Sequence, residues 1–252
     1  MARKAREKSN SGIYHLMLRG INRQNLLEED EDRQRFIETI GYYKSICKYK
    51  LYGYCLMNNH IHLLLREMDE SLSRIIKRIS SSYVYWYNQK YDRCGHLFQE
   101  RYKSEVIETE EYFLTVLRYI HQNPVKVGTE KKPGNYVWSS YQEYIGTPIV
   151  TDTDFALDIL STNRRNAIEL LKNYFEEKNN DQCLDYSVKI SISDQDIMKY
   201  LHQLGIKTVS ELQRLGKEER NIVLRKIKNI EGVTIRQLSR ITGISKSVID
   251  RL

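Results

Sequence analysis

Two seven-residue β-prone runs, Leu51–Met57 and His60–Arg66, sit on either side of Asn58-Asn59. No other feature of the chain restricts its fold as much. Runs of that length around an Asn-Asn pair have the composition of a tight hairpin, so an antiparallel strand pair belongs in whatever sheet forms. Upstream, Ile13–Arg19 alternates and closes at Gly20, as a strand does. Asp30 to about Lys50 carries Phe36, Ile37, Ile40, Tyr43, Ile46 and Cys47 at helical spacing. Downstream, Leu72, Ile75, Ile76, Ile79, Tyr83, Trp86 and Tyr87 form one stripe of a helix from Ser71 to about Tyr91, with Ser71 at the cap position. Tyr102–Glu108 is a further strand. Thr109 then caps a helix with Glu110 and Glu111 in its first turn. That helix is expected to stop near Asn123, because Pro124 disfavours helical backbone in the residue before it. The order of elements predicts an α+β fold: a ferredoxin-like antiparallel sheet with helices on one face, plus an all-α C-terminal piece. Three segments are expected: 1–148, an acidic helical connector at 149–204, and a helical unit at 205–252.

Composition narrows the class. Hydrophobic residues make up 40% of the 252, and only 3 are proline, so a proper core is available and long disordered linkers are disfavoured. No run approaches the roughly 18 apolar residues of a membrane span. The basic stretch Met1–Ser11 is not followed by the apolar run of a signal peptide, and a soluble cytoplasmic protein is expected. Cys47, Cys55, Cys94 and Cys183 lack metal-site or disulfide spacing and are expected to be reduced, mostly buried thiols. The net charge of +7 is divided into two basic regions separated by the acidic 151–204 stretch, and leans toward a polyanionic partner. The 19 tyrosines against 5 phenylalanines supply rings that can stack on bases and bond phosphate, although most such rings are half-buried packing residues.

The chemistry concentrates in two places. In a strand, residues two apart point to one face, so His60 and His62 project together while Ile61 and Leu63 point away. Two adjacent imidazoles can ligate a divalent metal; they can equally be ordinary histidines on a polar sheet face. A zinc protease is disfavoured by the lack of a His-Glu-x-x-His helix. In the helix ending at Pro124, Tyr119 and Asn123 are four apart and share a face. Asn123 can offer an amide oxygen to the metal that Tyr119 also faces, with Gln122 as a substitute. His121 lies about 160° away and is a poorer ligand. A surface helix with a capping Asn would read the same way.

Met57-Asn-Asn-His-Ile-His-Leu-Leu-Leu65 and Leu117-Arg-Tyr-Ile-His-Gln-Asn-Pro-Val-Lys126 together resemble the HUH-type single-tyrosine transposases, nearest the branch associated with repetitive extragenic palindromes (REP). Gly95-His-Leu-Phe-Gln-Glu-Arg-Tyr-Lys-Ser104 and Trp138-Ser-Ser-Tyr141 match the same branch, so the resemblance spans about residues 11–145. Asn58 departs from it, standing where the family often has Pro. The resemblance implies cleavage and rejoining of single-stranded DNA at hairpin or palindromic ends through a 5′-phosphotyrosine link. It makes His60, His62 and Asn123 ligands of Mg²⁺ or Mn²⁺ and Tyr119 the nucleophile. It also implies a possible homodimer. A rolling-circle initiator or relaxase uses the same chemistry, and a catalytically silent DNA-binding relative remains open. Arg101, Lys103, Arg118 and Lys126 flank the matching blocks and are expected to neutralise phosphates. His96 and Gln99 are candidates for positioning DNA or for packing; Trp138 and Tyr141 are expected in the core.

Thr234–Leu252 resembles a helix-turn-helix. Leu238, Ile241, Ile244, Ile249 and Leu252 are spaced to pack two short helices, Gly243 suits the turn, and Ser245 caps the second helix. That helix would present Lys246, Ser247, Asp250 and Arg251, with Lys246, Ser247 and Arg251 expected on DNA. A protein-interaction module shares the pattern.

Overall fold

The structure, a computed structural model, describes residues 6–184, 193–230 and 233–252. Residues 185–192 of the expected connector lie outside the described residues. The chain divides into two compact units, Met1–Asp185 and Tyr186–Leu252.

The first unit follows the expected order: β1 (Ile13–Arg19), α1 (Asp30–Cys47), β2 (Lys50–Met57), β3 (His60–Arg66), α2 (Leu72–Lys90), β4 (Lys103–Ile107) and α3 (Glu110–Lys126). The four strands form one antiparallel sheet in the order β2-β3-β1-β4, the ferredoxin-like arrangement. α1 begins with a capping box between Glu29 and Asp32, and its first turn carries three acidic residues against the helix dipole. Ser71 stands at the N-cap of α2 without a side-chain cap bond. Thr109 caps α3 by accepting the Tyr112 N–H.

Strand parity sorts the side chains. Tyr14, Leu16, Leu18, Tyr54, Leu56, Ile61, Leu63 and Leu65 join α1 and α2 in one core. Ile13, Cys55, Met57, Leu64 and Ile107 join α3 in a second core on the opposite face. Helices α1 and α2 therefore cover one face as expected, whereas α3 covers the other. α3 lies close to β2: a Cβ on Gly53 would come within 2.8 Å of Leu117 Cδ1. Trp138 packs against both cores, and Tyr141 is buried in the second.

Two expectations need correction. α3 runs through Pro124 to Lys126 instead of stopping near Asn123. Proline costs the helix one backbone bond, and here that loss falls in the last turn. Side-chain contacts hold that turn: Gln122 Nε2 donates to Phe175 O and Glu177 O at 2.8 Å each, and His121 Nε2 lies 2.7 Å from Ser140 Oγ. The part of the acidic 149–204 stretch through Glu176 also packs into the first unit instead of standing apart from it. Its α5 (Asp154–Leu160) and α6 (Arg164–Glu176), which follow the short α4 (Tyr141–Ile145), bury Ala156, Leu157, Ala167, Leu171 and Phe175 in the α3 core.

The second unit is all-α among its described residues: α7 (Asp194–Gln203), α8 (Val209–Arg214), α9 (Lys217–Lys228), α10 (Ile235–Thr242) and α11 (Lys246–Asp250) around Ile197, Leu201, Leu212, Leu224, Ile227, Leu238 and Ile249. Gly243 takes a left-handed φ of 70° at the end of α10, where a Cβ would be strained. Ser245 is the N-cap residue of α11 but makes no side-chain cap bond. Of the four cysteines, all free, Cys47 and Cys55 are buried, Cys183 is half-buried and Cys94 is exposed.

Candidate active site

The hairpin tip that carries His60 is tied down from three sides. Leu26 N–H and Leu27 N–H donate to Asn58 O at 2.6 and 3.1 Å, Gly20 N–H donates to Asn59 O at 3.0 Å, and Arg33 Nη2 donates to Asn58 Oδ1 at 2.6 Å. His60 and His62 leave β3 on the α3 side, their ring centroids 5.0 Å apart. His60 Nδ1 is 2.7 Å from Asn59 Oδ1, and its Nε2 is 3.4 Å from Asn123 Oδ1. His62 is completely buried, and its Nε2 has no hydrogen-bond partner; neither has Asn123 Nδ2. Burial, followed by the charges of His60, His15 and Lys126, holds the His62 imidazole well below its usual range, so it is neutral near pH 7.

Tyr119, one helical turn before Asn123, places its ring centroid 5.9 Å from His62. It is 5% exposed. Lys126 Nζ sits 4.1 Å from the Tyr119 ring centroid, and donates to Asp181 O at 3.2 Å. Strand and helix thus bring His60, His62, Tyr119 and Asn123 together. His121 faces the far side, buried against Ser140 and Phe175. Gln122, considered as an alternative ligand, has its whole amide engaged, since its Oε1 also accepts from Asn179 at 2.8 Å.

The donor set fits a divalent ion. Two imidazoles, one with its Nε2 buried and without a hydrogen-bond partner, and an amide oxygen come together, and three protein ligands would leave positions open for a substrate oxygen. Among the described residues no group of three or more His, Cys, Asp or Glu could hold a metal. An ion here therefore depends on the Asn123 amide.

Arg118 is not placed as expected. It is buried, donates to both Asp181 carboxylate oxygens (2.8 and 3.1 Å) and to Glu177 Oε2 (3.1 Å), and stacks at 4.0 Å on Tyr174. Its charge is matched within the fold, so it is not offered to phosphate. Lys103 lies half-buried on β4 opposite Met17. Arg101, His96 and Gln99 are exposed along a cleft of ≈ 660 Å³ against α2, whose lining includes none of His60, His62, Tyr119 and Asn123. In the second unit Lys246, Ser247 and Arg251 are exposed, with Arg251 Nε donating to Ser247 O at 2.8 Å.

Sequence reasoning missed His15 and Glu105. His15, on β1 and fully buried, has its Nε2 2.9 Å from His62 Nδ1, and its Nδ1 3.4 Å from Glu105 Oε2 on β4. Burial raises the Glu105 carboxyl, but hydrogen bonds from His15, Tyr112 and the Leu184 N–H outweigh it and hold the group below its usual range. A polar His inside the apolar Ile13–Arg19 run was the available signal. Its partners depend on strand register, which one sequence does not give.

Residues 8–123 match the model of a family described as IS200-like transposases. Among solved structures, a REP-associated tyrosine transposase bound to a REP hairpin is similar at a TM-score of 0.52 and 18% identity, over 57% of this chain and 86% of that one. At that identity the likeness speaks for the fold. A Deinococcus radiodurans R1 protein provisionally described as a transposase overlaps at a TM-score of 0.35 and 17% identity, over 48% of this chain and 97% of that one, too weakly to bear on it. A search of curated proteins found no match. Among the described residues, no helix is long and apolar enough to cross a membrane.

Proposed function

We propose that the chain, whose residues 8–123 match the model of the IS200-like transposase family, cuts and rejoins single-stranded DNA through Tyr119. One observation carries the reading: a buried, unpartnered His62 Nε2 beside His60, Asn123 and the Tyr119 ring. The Tyr119 oxygen attacks the scissile phosphorus, forming the Tyr–O–P bond as the P–O3′ bond breaks. The departing 3′ oxygen takes up a proton, and the phenol loses its own. The phosphodiester energy stays in the tyrosine ester, so a second strand's 3′-hydroxyl can reverse the step without a nucleotide cofactor. A divalent ion, Mg²⁺ or Mn²⁺, held by His60, His62 and Asn123 would supply Lewis-acid polarisation of the phosphate. Lys126, over the Tyr119 ring, favours the negative charge that develops on the phenol.

The substrate proposed is a DNA hairpin or palindromic end, in line with the hairpin held by the similar transposase. Arg101, Lys103 and Lys126 are proposed phosphate contacts, and Lys246, Ser247 and Arg251 of α11 are proposed to contact DNA with the second unit. The test is incubation of end-labelled hairpin DNA with the full chain and Mn²⁺. A covalent protein–DNA adduct that disappears in Tyr119→Phe is expected. Adduct formation by that variant at the wild-type rate would remove Tyr119 from the reaction.

A further inference from the structure

The row Glu105, His15, His62 crosses three neighbouring strands, β4, β1 and β3, and with the carboxylate ionised and both imidazoles neutral its order fixes where the protons lie. His15 pairs with Glu105 directly across β1 and β4, and is offset by two residues along β1 from Met17, which stands opposite His62. An ionised carboxylate can only accept, so His15 Nδ1 carries a hydrogen and donates to Glu105 Oε2 (3.4 Å). A neutral His15 then has its lone pair on Nε2, which must accept at 2.9 Å from His62 Nδ1–H. A neutral His62 with hydrogen on Nδ1 has its free lone pair on Nε2. That atom is the one left buried and unpartnered beside His60 and Asn123. Reversing the His15–His62 bond would put hydrogen on His62 Nε2 and abolish its donor capacity toward an ion.

We propose that His15 and Glu105 are positioning residues that lock His62 as the Nδ1–H tautomer and aim its Nε2 lone pair at a divalent ion. The inference rests on the metal-site reading given above and deepens it. Outer partners of this kind orient ligating imidazoles and raise their basicity, and their loss weakens metal binding by about 10- to 100-fold. His15 also borders Tyr119, with ring centroids 6.0 Å apart, so the same row fixes one wall of the space around the nucleophile.

The experiment uses the full chain without DNA. Side-chain ¹⁵N NMR of metal-free protein should report His62 with hydrogen on Nδ1 and a bare Nε2. Mn²⁺ titrated alone by calorimetry should bind His15→Phe, which fills the space without accepting a hydrogen bond, about 10- to 100-fold more weakly than wild type. His15→Gln, whose Oε1 can accept from His62, should recover most of that loss. Wild-type protein with hydrogen on His62 Nε2 would overturn the proposal even if no variant folds, and so would equal Mn²⁺ affinity in wild type and His15→Phe. Failure of DNA cleavage by a wild type that binds Mn²⁺ and has the Nδ1–H tautomer counts against the strand-transfer reading and leaves this inference standing.

Discussion

Replacing Arg118 with alanine separates a structural cation from a DNA-binding one. The guanidinium makes two bonds to Asp181 and one to Glu177, and covers the Tyr174 ring at 4.0 Å. The Asp181 side chain is only 15% exposed, whereas Glu177 is 60% exposed. Glu177 can turn to water, so its bond contributes little. Asp181 would be left with a mostly desolvated carboxylate. Breaking a fully buried pair costs about 3–5 kcal/mol, and discounting for the water Asp181 retains leaves about 2 kcal/mol. For a unit of this size each kcal/mol lowers Tm by about 2–4 °C, so a drop of about 4–8 °C is expected by thermal unfolding. Hairpin binding, measured by fluorescence anisotropy across a salt series, should keep its slope, because a lost phosphate contact would reduce log K against log salt by about 0.7–0.9. An unchanged Tm together with a shallower slope would refute the assignment and return Arg118 to the DNA.

His121 is buried with its pKa lowered to about 3 by burial, against an ordinary 6.5. Above pH 6.5 both folded and unfolded forms are neutral there; between 6.5 and about 3 only the unfolded chain takes up the proton. Stability should therefore fall with pH through that window by about 1.4 kcal/mol per unit from this group. Denaturant midpoints should decline less steeply on acidification in His121→Phe, and parallel curves would exclude the group. Gly53→Val should destabilise the first unit by about 1–3 kcal/mol, because even a Cβ there meets the fully buried Leu117 at 2.8 Å; urea titration checks it. Chelator-treated protein should gain about 2.7 kcal/mol of stability from Mn²⁺ at a hundredfold excess over Kd, and His62→Ala should show no such gain in a melting assay.

The strands were readable because their periodicity is local. Alternation across Ile13–Arg19 and the Asn58-Asn59 turn needed nothing from the rest of the chain, and all four strands lie within a residue of where they were expected. The pairing of His60 with His62, and of Tyr119 with Asn123, was legible for the same reason: each lies within one element whose repeat decides its facing. Relations between elements were not. Arg118 reads as a cation for phosphate until Asp181, 63 positions later, folds onto it. His15 reads as one polar residue in an apolar strand until register sets Glu105 on one side and His62 on the other. Pro124 suggested a stop because local rules price the lost backbone bond but not the tertiary contacts of Gln122 and His121 that secure the turn.

The anchored tip at Asn58-Asn59 bears on how the proposed ion would come and go. Hairpin ends ordinarily fray, yet this one is held by the backbone of Gly20, Leu26 and Leu27 and by Arg33, none of which needs a bound cation. Held this way, the imidazoles would keep their stance with or without the proposed ion, which would meet a cradle already set, with little conformational entropy to surrender. Uptake and release should then be governed by the traffic of water and DNA at the opening, with the hairpin itself standing still.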